Sequence, residues 1–270
     1  MAAQFSAEEI MDITEARLAV GLMPDAVGEV HTDTRTMPEG SWFVALPGRK
    51  YDGHDFLGDA FSEGAIGCIV GERTGYAIAS TSFPLLAVTD PLEAVTKLAR
   101  NWRRRIGTKV IVVMVNRSEE RCPIGKSCYD ELQVRKRTHF LRLANESIDA
   151  VLDAVLSVDE ITEVLIAELS PTNLEHIQSA LSALQPNVFV VAKDGYDHFR
   201  MSSSQQECAE GMRATFASLD KAKCKVILAT NAQDLIIRSD DFDGAKFVLE
   251  EESPEDADAW ASRVACEQIG

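Results

Sequence analysis

The residues best suited to chemistry lie at the ends of apolar runs. Gly125-Lys126-Ser127 comes after the run 110–115. It has the form of the last third of a P-loop, G-x-x-x-x-G-K-[ST]. There, backbone N–H groups cradle phosphates, a lysine neutralises them and a hydroxyl binds Mg²⁺. Glu168 follows Val164-Leu165-Ile166-Ala167, and His198 comes after Val188-Phe189-Val190-Val191. Polar groups at the carboxyl ends of parallel strands face the usual ligand crevice. A carboxylate, an imidazole and the Ser127 hydroxyl make a donor set for Mg²⁺ or Mn²⁺. Spacing alone does not join them, and three unrelated surface residues is the simpler account.

The P-loop is incomplete. Its first glycine should fall at 120, where the chain has Glu120. A glutamate there points negative charge at the phosphates and cannot cheaply adopt glycine's conformations. Pro123 removes another N–H from the cradle. Read alone, Gly125-Lys126-Ser127 is a weak nucleotide signal.

The elements that must position these residues are legible as runs and periods. The continuously apolar run 110–115 has the pattern of a strand buried on both faces. Runs at 164–167, 188–191 and 226–229 repeat it, with helical stretches between. Asn173 can cap a helix with Leu174, Ile177, Leu181 and Leu184 on one face, and Ser204 one with Cys208, Met212, Phe216 and Leu219. Strand–helix alternation predicts a parallel sheet covered on both faces. The first hundred or so residues read differently, as short strands at 42–46, 66–70 and 85–88 separated by turns. Asp90 and Pro91 then open a helix with Leu92, Val95, Leu98, Ala99 and Trp102 on one face. Arg103, Arg104 and Arg105 close it as a solvated end. The expected division is 1–107 and 108–270, near Gly107.

Composition narrows the function. The chain has 270 residues with 27 Lys+Arg against 43 Asp+Glu, a net charge of −16. That argues against nucleic-acid or anionic-membrane binding, which need a basic surface. No apolar run reaches the ~18 residues of a membrane span. The N-terminus carries no signal-peptide pattern. The six cysteines contain no C-x-x-C pair and no zinc spacing. They read as structural thiols of a reducing, cytoplasmic setting. The acidic stretch at 250–256 reads as solvated surface.

The order of motifs in the first half carries a resemblance. Thr32-Asp33-Thr34-Arg35 is followed by Pro38-Glu39-Gly40-Ser41-Trp42-Phe43-Val44-Ala45-Leu46-Pro47-Gly48, then Tyr51-Asp52-Gly53-His54-Asp55-Phe56. This resembles the N-terminal domain of the Mur ligases, most nearly the MurF, D-alanyl-D-alanine-adding type. The resemblance implies a domain that binds the UDP end of a UDP-muramyl-peptide. Thr34, Arg35, Gly48, Asp52, Gly53 and His54 become its UDP-site candidates. The second half resembles the family's central ATPase domain more loosely. There Glu168 matches the metal-binding glutamate and His198 the metal-binding histidine, with Ser127 from the P-loop.

The departures from that family set the functional expectation. Besides Glu120 and Pro123, the asparagine expected four residues after the metal-binding glutamate is Thr172, with Asn173 one position off. Lys193 stands where the family has another asparagine. The family's carbamylated, metal-binding lysine falls at Met212, and a thioether is a poor ligand for a hard cation. The chain stops where the family's third domain would start. The expectation is therefore an α/β protein: a Mur-ligase N-terminal domain, then a degenerate P-loop-like central domain with a mainly parallel sheet. Its expected role is that of a pseudoenzyme, a binding, scaffold or regulatory protein that keeps a UDP-sugar site and has a protein partner. No catalytic residues and no cofactor are expected. The alternative is a MurF-type ATP-dependent amide ligase completed by a partner chain, which would need Mg and ATP. The segment 244–249 and Trp260 are expected beside an interface.

Overall fold

The structure is a computed structural model that describes residues 2–48, 51–72, 83–115, 123–144, 148–170, 174–192, 205–229, 233–248 and 254–269. In chain order the first elements are β1 (Gln4–Ser6), α1 (Ala7–Thr14), β2 (Arg17–Val20), β3 (Val27–His31), β4 (Trp42–Val44), α2 (Leu57–Ser62), β5 (Gly67–Gly71), β6 (Leu85–Val88) and α3 (Pro91–Ile106). Then come β7 (Lys109–Met114), α4 (Pro123–Leu132), β8 (Thr138–Ala144), α5 (Ile148–Leu156), β9 (Val164–Ser170), α6 (Leu174–Leu184) and β10 (Val188–Ala192). The chain ends with α7 (Gln205–Ser218), β11 (Lys225–Ala229), α8 (Gln233–Arg238), β12 (Lys246–Val248) and α9 (Pro254–Ile269). Two compact units result: Met1–Arg105 with Asp149–Glu160, and Ile106–Ile148 with Ile161–Gly270. The segment 149–160, which the sequence placed in the second domain, groups with the first.

The first unit holds a six-stranded sheet of order β1-β3-β4-β5-β6-β2. Its inner strands run parallel, while β1 and β2 pair antiparallel at the edges. Local chemistry explains the helices around it. Ser6 and Glu9 form a reciprocal capping box that starts α1, with Ser6 Oγ accepting from the Glu9 N–H and Glu9 Oε2 from the Ser6 N–H. Asp90 Oδ1 accepts the Leu92 and Glu93 N–H groups at 2.9 and 3.3 Å, so it caps α3 as expected. Gly107, at φ 66°, takes the left-handed conformation that closes that helix. Arg105 does not end in solvent alone: it reaches Glu9 at 2.8 Å and lies over the Phe5 ring.

Helix α5 completes this unit. It buries Val151, Leu152, Val155 and Leu156. The Leu156 carbonyl accepts the Ala3 N–H at 2.9 Å, and the Val158 carbonyl accepts the Trp102 indole N–H at 2.9 Å. A buried indole N–H left unpaired would be costly, so these bonds fix the register of the returning segment.

The second unit is built on a six-stranded sheet of order β12-β11-β10-β7-β9-β8. Every pairing in it is parallel, as the apolar runs predict. Side chains alternate between the faces. On one face Ile111, Val113, Ile166, Val190 and Ile227 pack with Ile124, Cys128 and Leu132 of α4 and Ala261, Ala265 and Ile269 of α9. Ile177 and Leu181 of α6 and Met212 and Phe216 of α7 are buried as well, and the Phe216 ring lies 6.5 Å from that of Phe189. The expectation of core packing for Met212 thus agrees with its position.

The end of the acidic stretch, from 254, lies in the first turn of α9, whose later residues Ala261, Ala265 and Ile269 enter the core. The segment 244–249 contains β12, the edge strand paired to β11. Among the described residues, no helix is long and apolar enough to cross a membrane.

Candidate functional site

In the second unit the geometry centres on Glu168. The first turn of α4 brings Gly125 against it: a Cβ on Gly125 would lie 2.4 Å from Glu168 Oε1. Any side chain at 125 would collide with the carboxylate, which gives the glycine a packing reason independent of phosphate. On the other side Arg142 stands opposite Glu168 in the β8–β9 register. Its Nε donates to Glu168 Oε2 at 3.1 Å. The Glu168 side chain is 3% exposed and that of Arg142 54%. Burial pushes the Glu168 carboxyl up, and Arg142 opposes that shift. The other oxygen, Oε1, is buried with no hydrogen-bond partner among the described residues.

Lys126 and Ser127 are both exposed. The Lys126 ammonium pairs with Asp130 one turn along the helix, at 2.5 Å, and lies 4.9 Å from the centre of the Tyr129 ring. Residues 116–122, with Glu120, lie outside the described residues, as do Thr172, Asn173, Lys193, His198 and Ser204. The structure therefore joins Gly125 to Glu168 and leaves His198 unplaced.

The described residues around Glu168 offer few donors to a divalent cation. Mg²⁺ wants several oxygen donors at about 2.0–2.1 Å in octahedral array. Here the carboxylate already serves a guanidinium, whose charge repels a second cation. Among the described residues, no group of three or more His, Cys, Asp or Glu is placed to hold a metal. Arg142 was not singled out from the sequence. Its only signal is an arginine in a short strand with Phe140 and Leu143, and that strand went unrecognised.

In the first unit four UDP-site candidates, Gly48, Asp52, Gly53 and His54, lie close together. Pro47 bridges to Asp52, and the Gly53 N–H donates to the Leu46 carbonyl at 2.8 Å. A Cβ would meet Tyr51 O at 2.4 Å from Gly48 and Leu46 N at 2.6 Å from Gly53. Asp52 caps the short 3₁₀ turn Gly53–Phe56. His54 ties that turn to the end of β5. Its Nε2 accepts the Gly71 N–H at 3.0 Å, so Nδ1 carries the proton and donates to Asp52 Oδ1 at 2.6 Å. The His54 backbone N–H, then its ring, hold the Asp52 carboxyl below the usual range.

Thr34 and Arg35 lie in the turn after β3. The Arg35 guanidinium, with its side chain 84% exposed, forks onto Asp33 with Nε at 2.9 Å and Nη2 at 2.5 Å. That hydrogen bonding holds the Asp33 carboxyl low. Nearby, Thr32 Oγ1 donates to Asp153 Oδ2 of α5 at 2.6 Å. Burial pushes the Asp153 carboxyl up. Asp153 escaped sequence reasoning because its segment was assigned to the other domain.

Comparison with known proteins agrees with this architecture. No protein-family model matches the chain. It is 25% identical to the UDP-N-acetylmuramoyl-tripeptide–D-alanyl-D-alanine ligase of Rickettsia prowazekii over 209 residues, 75% of this chain and 44% of that protein. To the enzyme of the same name in Haemophilus influenzae it is 26% identical over 197 residues, 70% and 40% of the two chains. A crystal structure of MurF from Acinetobacter baumannii superposes with a TM-score of 0.73 at 16% identity, covering 92% of this chain and 53% of that one. The fold is that of the Mur ligases, and the chain is a relative of that family. Within it the likeness is to the MurF type. The chain spans less than half the length of these curated relatives.

Proposed function

We propose that this chain is a Mur-ligase-derived binding protein that carries out no ligation of its own. Its first unit is the ligand-facing part, with a UDP-sugar as ligand, and it works with a protein partner. One observation carries the reading: Glu120 stands at the cradle position where a P-loop needs glycine. A carboxylate there repels the phosphates that the loop exists to hold. The engagement of Lys126 by Asp130 supports it, since that ammonium is turned along its helix. Calorimetry with Mg-ATP on the full chain should show no binding tighter than millimolar, and phosphate release should equal that of buffer. Micromolar binding would overturn the reading. Glu120→Gly should tighten whatever nucleotide binding exists.

The binding half has its own test. UDP or a UDP-sugar should slow hydrogen exchange around Thr34-Arg35 and Asp52-Gly53-His54, and Arg35→Ala should abolish that protection. Unchanged exchange at saturating ligand would leave those residues as turn formers only.

A second reading, a MurF-type ATP-dependent amide ligase completed by a partner chain, is favoured by the approach of Gly125 to Glu168, which keeps the helix start beside the strand end. It predicts ligation in native extract that Lys126→Ala abolishes.

A further inference from the structure

Glu168 is the residue that the Mur-ligase resemblance marks for metal, yet its neighbours hold it differently. The position of Arg142 is set by backbone pairing, not by side-chain choice. Strands β8 and β9 run in parallel register from Thr138↔Val164 to Ala144↔Ser170, with Arg142 opposite Glu168. Its head is 3.1 Å from Oε2, and its guanidinium carbon lies 5.9 Å from the centre of the Phe140 ring. A guanidinium stays charged at every working pH. On the other side Gly125 comes so near Oε1 that a Cβ there would lie 2.4 Å from it. A buried carboxylate needs a positive partner, and here the partner is covalently part of the chain.

We propose that Arg142 is a built-in cation that replaces the divalent metal at Glu168, so that this position excludes Mg²⁺ and Mn²⁺. The inference rests on the relation to the Mur ligases and explains, residue by residue, why the second unit would lack their chemistry. It does not depend on Glu120 or on the nucleotide loop. Both kinds of charge neutralisation serve the same carboxylate, and they compete, because a guanidinium already bonded to Oε2 repels a divalent cation that approaches Oε1.

The test is Mn²⁺ binding to the full chain, read by the loss of the free-ion electron paramagnetic resonance signal in the absence of nucleotide. The parent should bind no Mn²⁺ at Glu168. Arg142→Met keeps much of the stem and removes the charge. With the carboxylate freed and water filling the other positions, it should bind Mn²⁺ at least tenfold more tightly than the parent, and Glu168→Gln added to Arg142→Met should erase that gain. Thermal melts of the same proteins guard against misfolding. Mn²⁺ should raise the midpoint of Arg142→Met and leave that of the double variant unchanged. Two results would overturn the proposal. One is micromolar Mn²⁺ binding by the parent that Glu168→Gln removes. The other is an Arg142→Met protein that melts cooperatively and gains neither binding nor a Mn²⁺-dependent shift. Neither result bears on ATP calorimetry, so failure here is distinguishable from failure of the functional reading.

Discussion

Thr32 and Asp153 meet through a 2.6 Å hydrogen bond between residues 121 positions apart. The threonine belongs to the turn motif after β3 and the aspartate to α5, so this bond ties the motif to the returning helix. The Asp153 carboxylate is expensive there because burial opposes its charge, while His31 favours it and Asp149 does not.

The first prediction follows from that cost. Burial raises the folded-state pKa of Asp153 above its unfolded value, about 3.9 for an ordinary aspartate. Its contribution to stability is then complete below the unfolded value and is lost as pH rises through the folded one. Asp153→Asn keeps an acceptor for Thr32 and carries no charge. It should melt higher than the parent at pH 7, by about 1 kcal/mol, and the gap should close toward pH 3.5. Denaturant melts across that range check both the sign and the convergence. A variant less stable at pH 7 would show that the Thr32 hydrogen bond, with His31 behind it, outweighs burial.

A second prediction concerns His54. Its ring satisfies Gly71 N–H and Asp52 together. His54→Ala should cost about 1–3 kcal/mol, the price of unpairing a partly buried group. Amide exchange at Gly71 should speed up in step. A melt identical to the parent's would assign His54 to ligand contact alone.

Much of this was legible beforehand, and the misses have physical causes. The buried parallel strands announce themselves because a strand covered on both faces must be apolar throughout, as Val110 to Val115 are. The cap at Asp90 was readable because capping is local chemistry. What failed was non-local or short. Strand β8 alternates too weakly to stand out, so Arg142 was missed with it. Helix α5 carries an ordinary apolar face, Val151, Leu152 and Val155, and nothing in a periodic pattern says which core it joins. The acidic start of α9 masked the buried Ala261, Ala265 and Ile269 further along.

Met212 yields a third prediction. It is fully buried on α7, in the helix that also buries Phe216. Met212→Lys should destabilise the protein by roughly 2–4 kcal/mol, the cost of placing an unpaired charge in a core. Urea unfolding of parent and variant measures it. An unchanged midpoint would mean that the lysine reaches water or a carboxylate.

The fourth concerns thiols. Burial pushes Cys224 up to about 12 and raises Cys68 as well. Thiolates are the reactive form, so both should resist iodoacetamide at pH 8 until the chain opens. Peptide mapping after timed alkylation should show the two labelled at the rate of unfolding. Rapid labelling of either in the native protein would contradict their burial.

The return of 149–160 to the first unit also governs the order in which the protein can be made. When residue 105 has been synthesised, the sheet of that unit is complete, but the indole of Trp102 and the amide of Ala3 still await Val158 and Leu156. At about 5–20 residues per second, the missing helix emerges only after several more seconds of translation. During that interval β7, α4 and β8 of the other unit have been synthesised, while β9, β10 and β11 have not. The first unit therefore waits on residues made after more than half of the chain, and a gene cut at residue 107 would encode a first unit with its docking surface bare.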